Sequence, residues 1–109
     1  MPTVEVPDLK DGDFLLDVRE GDEWRAGHAE GALHIPISEF VARYGELTEA
    51  APQDGTVHVI CRSGGRSAQV AMYLVQQGVN AVNVDGGMQV WAAAGRPVVT
   101  DEGQPGFVL

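Results

Sequence analysis

Cys61 is the only cysteine of the 109-residue chain, and it is followed by Arg62-Ser63-Gly64-Gly65-Arg66-Ser67. A thiol is a useful nucleophile only as thiolate, so a reactive cysteine needs surroundings that stabilise negative charge more than burial penalises it. Gly64 and Gly65 can adopt backbone angles closed to other residues, which lets successive amide N–H groups turn inward as an anion-binding nest. A helix starting near Arg66 or Ser67 would add its amino-terminal partial positive charge. Arg62 and Arg66 add two full charges from only 7 basic residues. The resulting thiolate, held in a cup of amides, is suited to carry or receive an anionic group. Electrostatically, a persulfide sulfur, a phosphoryl group and an arsenate all fit. Cup size separates them: Cys61 and Arg66 enclose four residues, whereas cysteine phosphatases use C-x5-R to wrap a tetrahedral oxyanion. The shorter loop better suits a single terminal sulfur.

The elements that must position this loop are legible from apolar runs. Val57 to Ile60 is a short strand leading into Cys61, and Ser67 to Gln77 is a largely apolar helix stopped by Gly78. Upstream, Val4 and Val6 give a weak strand signal, placed at an edge, within residues 1–10. Phe14 to Val18 is a stronger one, ending at Asp17-Val18-Arg19-Glu20. Glu20 to Ala26 reads as a short helix with Trp24 as its buried anchor and Gly27 as its stop. Leu33 to Ile35 reads as a brief strand halted by Pro36. Ser38 would cap an amphipathic helix of about three turns bearing Phe40, Val41, Tyr44 and Leu47. Ala81 to Val84 gives a further strand, Asp85-Gly86-Gly87 a turn, and Met88 to Ala94 a helix centred on Trp91 and ending at Gly95. Residues 100–109 read as a flexible tail.

This alternation predicts an α/β fold: a mainly parallel central sheet of four to five strands with helices on both faces, in one domain spanning 1–109. Ligands in such folds bind at the carboxyl ends of strands, where Cys61, Asp17 and Asp85 fall. The formal charge of −9 argues against nucleic acid and anionic membrane surfaces as partners and leaves a basic protein acceptor open. With one cysteine, no intramolecular disulfide forms. The absence of a signal segment and of an apolar run of roughly 20 residues points to a soluble cytoplasmic protein. His28, His34 and His58 match no metal-ligand spacing, and Trp24 and Trp91 are most simply anchors.

The chain resembles the rhodanese-like domains, specifically single-domain sulfurtransferases. The resemblance rests on Asp17-Val18-Arg19-Glu20 with Trp24, Gly27-His28, Gly31-Ala32, His34-Ile35-Pro36, the whole Cys61 to Ser67 loop, and Gly86-Gly87 with Trp91, Gly95 and Pro97. Ala29 stands where the family more often has isoleucine. The resemblance implies that Cys61 takes sulfane sulfur from a small anionic donor such as thiosulfate and passes it from a persulfide to cyanide or a thiol. It implies substrate binding by Arg62, Ser63, Gly64, Gly65, Arg66 and Ser67, support from Asp17 and Arg19, and neither metal nor organic cofactor. Two alternatives stay open: a sulfur-carrier or docking module with little turnover, and a phosphatase or arsenate reductase of the same fold.

Overall fold

A computed structural model describes residues 2–109; the expectation for residues 1–10 therefore extends beyond it at Met1. Five strands form one sheet: β1 (Thr3–Glu5), β2 (Leu15–Asp17), β3 (Leu33–His34), β4 (Val57–Ile60) and β5 (Ala81–Asp85). Their order is β1-β5-β4-β2-β3, and every neighbouring pair is parallel. The helices are α1 (Gly21–Ala26), α2 (Tyr44–Ala50), α3 (Gly65–Gln76) and α4 (Gly87–Ala93). The α/β expectation holds, and β1 lies at an edge.

Alternation along each strand divides the core in two. Leu16, Val57, Val59 and Ala81 join Leu47 of α2 and Val70, Ala71 and Leu74 of α3 in one buried cluster. Leu15, Ile60 and Val84 face the other way, against Met88 and Trp91 of α4. The sheet is thus covered on both sides, which is why its strands read as continuous apolar runs. Cys61 continues the Val57 and Val59 face, toward α3.

Three local readings need correction. The three-turn helix from Ser38 does not form: Ile37–Glu39 is a 3-10 turn, and α2 begins only at Tyr44. The Ser38 hydroxyl donates to Glu20 Oε1 at 2.7 Å instead of capping a helix, and Val41 is 80% exposed. Phe40 and Tyr44 still point inward, each meeting Tyr73 of α3 edge-to-face. Trp24 is not a buried helix anchor, since α1 buries no residue. Its ring stacks between His28 and His34, with centroids 3.5 and 4.5 Å away. Finally, α3 starts at Gly65, two residues earlier than expected, because Gly64 takes a left-handed φ of 115° and reverses the chain directly into the helix.

Gly27 does end α1, but in extended rather than left-handed backbone. Its reason is close approach: a Cβ there would lie 2.7 Å from the Phe107 amide nitrogen and carbonyl oxygen. The chain beyond α4 returns over α1 through hydrogen bonds from Phe107 N to Ala26 O and between His28 and Val99 in both directions. No helix among the described residues is long and apolar enough to cross a membrane.

Candidate functional site

The carboxyl ends of β2, β4 and β5 lie side by side at one end of the sheet, since Asp17 registers with Ile60 and Val59 with Asn83. Cys61 leaves the central strand there and is 1% exposed. The loop after it is clamped by α4, whose first-turn amides Met88 N and Gln89 N donate to Cys61 O at 2.8 Å and Arg62 O at 3.0 Å. A Cβ at Gly87 would overlap the Cys61 carbonyl oxygen and come within 2.8 Å of the Arg62 carbonyl group, and Gly87 has a φ of 55°. The Gly86-Gly87 pair therefore belongs to the site: only glycine lets α4 press this closely on the loop.

Around the sulfur, Gly64 N donates to Sγ at 3.1 Å and Ser67 Oγ lies 3.2 Å away. Burial pushes the Cys61 thiol up. The Ser67 hydroxyl and the backbone amides of Ser67, Gly64 and Ser63 favour the thiolate and together hold it below its ordinary value. This gives an expected result: the rate of Cys61 alkylation by iodoacetamide should titrate with a midpoint below that of an ordinary free thiol. The thiolate fraction then persists to lower pH than in a free cysteine and is lost as pH falls through that midpoint. A midpoint at or above the ordinary value would contradict the balance of burial and hydrogen bonding described here.

The flanking side chains divide. Arg66 makes a two-pronged ion pair with Glu23 of α1, at 2.6 and 2.8 Å, and this guanidinium holds the Glu23 carboxyl below the usual carboxylate range. Arg62 is exposed, and its Nε donates to Leu109 O at 2.9 Å. The Ser63 and Gly65 positions are also exposed. Asp17 and Arg19 are fully buried and joined at 2.7 Å. Arg19 also donates to Gly27 O at 2.9 Å, and Val18 N to Ile60 O at 3.0 Å, so this unit fastens the end of β2 to α1 and to the strand carrying Cys61.

Two residues of the site are absent from the sequence reading. Glu23 of α1 engages Arg66 of the loop. Asn83 stands inside the apolar run of β5 and accepts from the Ser67 hydroxyl at 2.6 Å. A polar residue in a buried strand demands a partner, and that was the available signal.

No group of three or more His, Cys, Asp or Glu among the described residues is placed to hold a metal ion. A surface cavity of about 580 Å³ is lined by Leu9 to Asp13, Trp91 and Arg96, away from Cys61.

Comparison with known proteins agrees with this geometry. The Rhodanese-like domain family matches residues 5–94. A sulfurtransferase of Allochromatium vinosum is 40% identical over 91 residues, covering 83% of this chain and 81% of that protein. A Bacillus subtilis protein provisionally named a sulfurtransferase is 39% identical over 84 residues, covering 77% and 78%. The crystal structure of a rhodanese-related protein from Thermoplasma volcanium superposes with a TM-score of 0.81 at 35% identity, covering 93% of this chain and 100% of that one. The chain belongs to the rhodanese-like domain family.

Proposed function

We propose that this protein transfers sulfane sulfur through a persulfide on Cys61. The observation that carries the reading is the enclosed thiol, met by Gly64 N and Ser67 Oγ inside the short loop from Cys61 to Ser67. The Cys61 thiolate attacks the outer sulfur of a donor such as thiosulfate. An S–S bond forms to Sγ, the donor's S–S bond breaks, and its electron pair leaves with sulfite. A thiophilic acceptor then attacks the outer sulfur; with cyanide, a C–S bond forms, the persulfide bond breaks, and thiocyanate departs as the thiolate is regenerated. Splitting the transfer in two gives ping-pong kinetics. The loop amides from Arg62 to Ser67 cradle the outer sulfur, Arg62 and Arg66 attract the anionic donor, and Asp17 with Arg19 holds the strand end beneath. Membership of the family and the sulfurtransferase names of the relatives support this class of reaction. The net charge of −9 favours a basic protein as a macromolecular acceptor in the cytoplasm.

Intact mass measurement after incubation with thiosulfate or a low-molecular-weight persulfide tests the proposal. Wild-type protein is expected to gain the mass of one sulfur atom and to lose it on addition of cyanide or excess thiol. No adduct with any sulfane donor would end this reading.

The Glu23 to Arg66 pair sets a further expectation for donor choice. Glu23 neutralises one of the two loop arginines, which weakens attraction for a dianion such as thiosulfate. Glu23→Gln keeps an oxygen for the Glu20 amide but removes the charge. Its KM for thiosulfate should fall by about 3- to 10-fold with kcat little changed. Steady-state kinetics with varied thiosulfate checks this, and an unchanged or higher KM would show that Arg66 takes no part in attracting the donor.

A further inference from the structure

Asn83 sits between Val82 and Val84 in the centre of β5 and is only 7% exposed. It faces α3, where its Oδ1 lies 2.6 Å from Ser67 Oγ, itself 3.2 Å from Cys61 Sγ. The other end of the amide, Nδ2, lies beside Gly64, 3.8 Å from where a Cβ on that residue would be. Asn83, Ser67 and Cys61 thus form one buried chain of polar groups.

The serine hydroxyl has a single proton to give. With Oδ1 facing it, Ser67 donates to Asn83 and its oxygen is left to accept from the Cys61 S–H. That pattern serves the thiol. Once the thiol has lost its proton to water, Sγ can only accept, and Ser67 must swing its O–H toward the sulfur. Ser67 Oγ and Asn83 Oδ1 would then face each other as two acceptors with no proton between them, which is costly in a buried site. A half-turn of the amide places Nδ2 there instead, so that Nδ2 donates to Oγ and Oγ donates to Sγ. The two ends of the amide are nearly equal in size, so the turn needs little extra room.

We propose that Asn83 is a positioning residue that directs the Ser67 hydroxyl, presenting Oδ1 while Cys61 is a thiol and Nδ2 once it is a thiolate. The inference rests on the reading that Cys61 works as a thiolate, but not on which sulfur compounds it meets. The charged groups around this chain are Arg66 with its partner Glu23, Arg62 on the loop, the Asp17 and Arg19 pair at the end of β2, and Asp85 with Glu5 where β5 meets β1. Cys61 itself acts electrostatically on Arg66.

The Asn83 side-chain amide can be followed by ¹⁵N-edited NMR across the Cys61 titration of the intact protein. Its Nδ2 protons are expected to shift with the midpoint measured by Cys61 alkylation, and this response should largely vanish in Ser67→Ala. An equal response in Ser67→Ala would mean that the amide senses only the nearby charge, and would overturn the proposal. Asn83→Asp gives a second measurement, because a carboxylate facing Ser67 can only accept and so keeps the Ser67 hydroxyl proton turned away from the sulfur. The alkylation midpoint should rise by about one pH unit more in wild type than in a Ser67→Ala background. An equal rise in both backgrounds is the charge effect alone and refutes the role. If Asn83→Asp fails to fold, the NMR titration still decides. A missing sulfur adduct together with a normal Asn83 response would remove the proposed function and leave this inference standing; the reverse result would do the opposite.

Discussion

The Cys61→Ser variant is expected to lose sulfur transfer by on the order of 10³-fold or more, and to show no added sulfur by intact mass. Serine can occupy the same site: its Oγ can still meet Gly64 N and Ser67 Oγ, and little volume changes beneath α3. What it cannot do is ionise. The same donors that bring a thiol down toward neutral pH leave a hydroxyl far from ionisation, and an oxygen nucleophile forms no persulfide. Thermal stability of the variant should therefore stay within about 1 kcal/mol of wild type. Activity near wild type with a normal melting profile would show that Cys61 is a structural core residue and that the chemistry lies elsewhere.

The loop works because three elements press on it from different sides. β4 delivers the cysteine, the left-handed Gly64 turns the chain directly into α3, and the first turn of α4 holds the carbonyls of Cys61 and Arg62. With those carbonyls held from behind, the Gly64 amide is free to point at the sulfur. The amide that meets Sγ is thus fixed by the fold itself, and donors positioned in advance are where stabilisation of a developing charge is worth most.

How much of this was legible depended on whether the signal was local. Val57 to Ile60 was readable to the residue, because an apolar run bounded by a loop and a glycine turn has one simple solution. The Gly-Gly turns were equally plain, whereas the cysteine loop was placed but its end was not, since the left-handed Gly64 starts α3 at Gly65. The region after Pro36 was not: Phe40, Tyr44 and Leu47 have helical spacing, yet Ser38 is drawn to Glu20, 18 residues away in sequence. That tertiary bond overrides the cap that local spacing implies. Trp24 was misplaced for a similar reason, since its stacking partners His28 and His34 belong to the following loop and strand. Glu23 and Asn83 were missed because each acts on a segment distant in the chain. Their residue types announce a need for partners but not who the partners are.

Arg19→Ala is the substitution expected to cost most in stability, about 3–5 kcal/mol. Asp17 and Arg19 have no exposed side-chain surface, and the guanidinium meets both carboxylate oxygens of Asp17. Truncating the arginine leaves a buried carboxylate without its counter-charge and the Gly27 carbonyl without its donor. Against the roughly 5–15 kcal/mol that stabilises a typical domain, this is enough to bring the protein near unfolding at moderate temperature. Asp17→Asn separates charge from hydrogen bonding, because the amide oxygen can still accept from the Arg19 backbone while the ion pair is gone. The two variants should rank with Arg19→Ala the less stable, as judged by urea midpoints with an unchanged m value. Whatever protein remains folded should still alkylate at Cys61, since the pair touches the end of β2 and α1 rather than the sulfur. Loss of less than about 1 kcal/mol in Arg19→Ala would show that water reaches the carboxylate and that the buried pair is not what fastens β2 to α1.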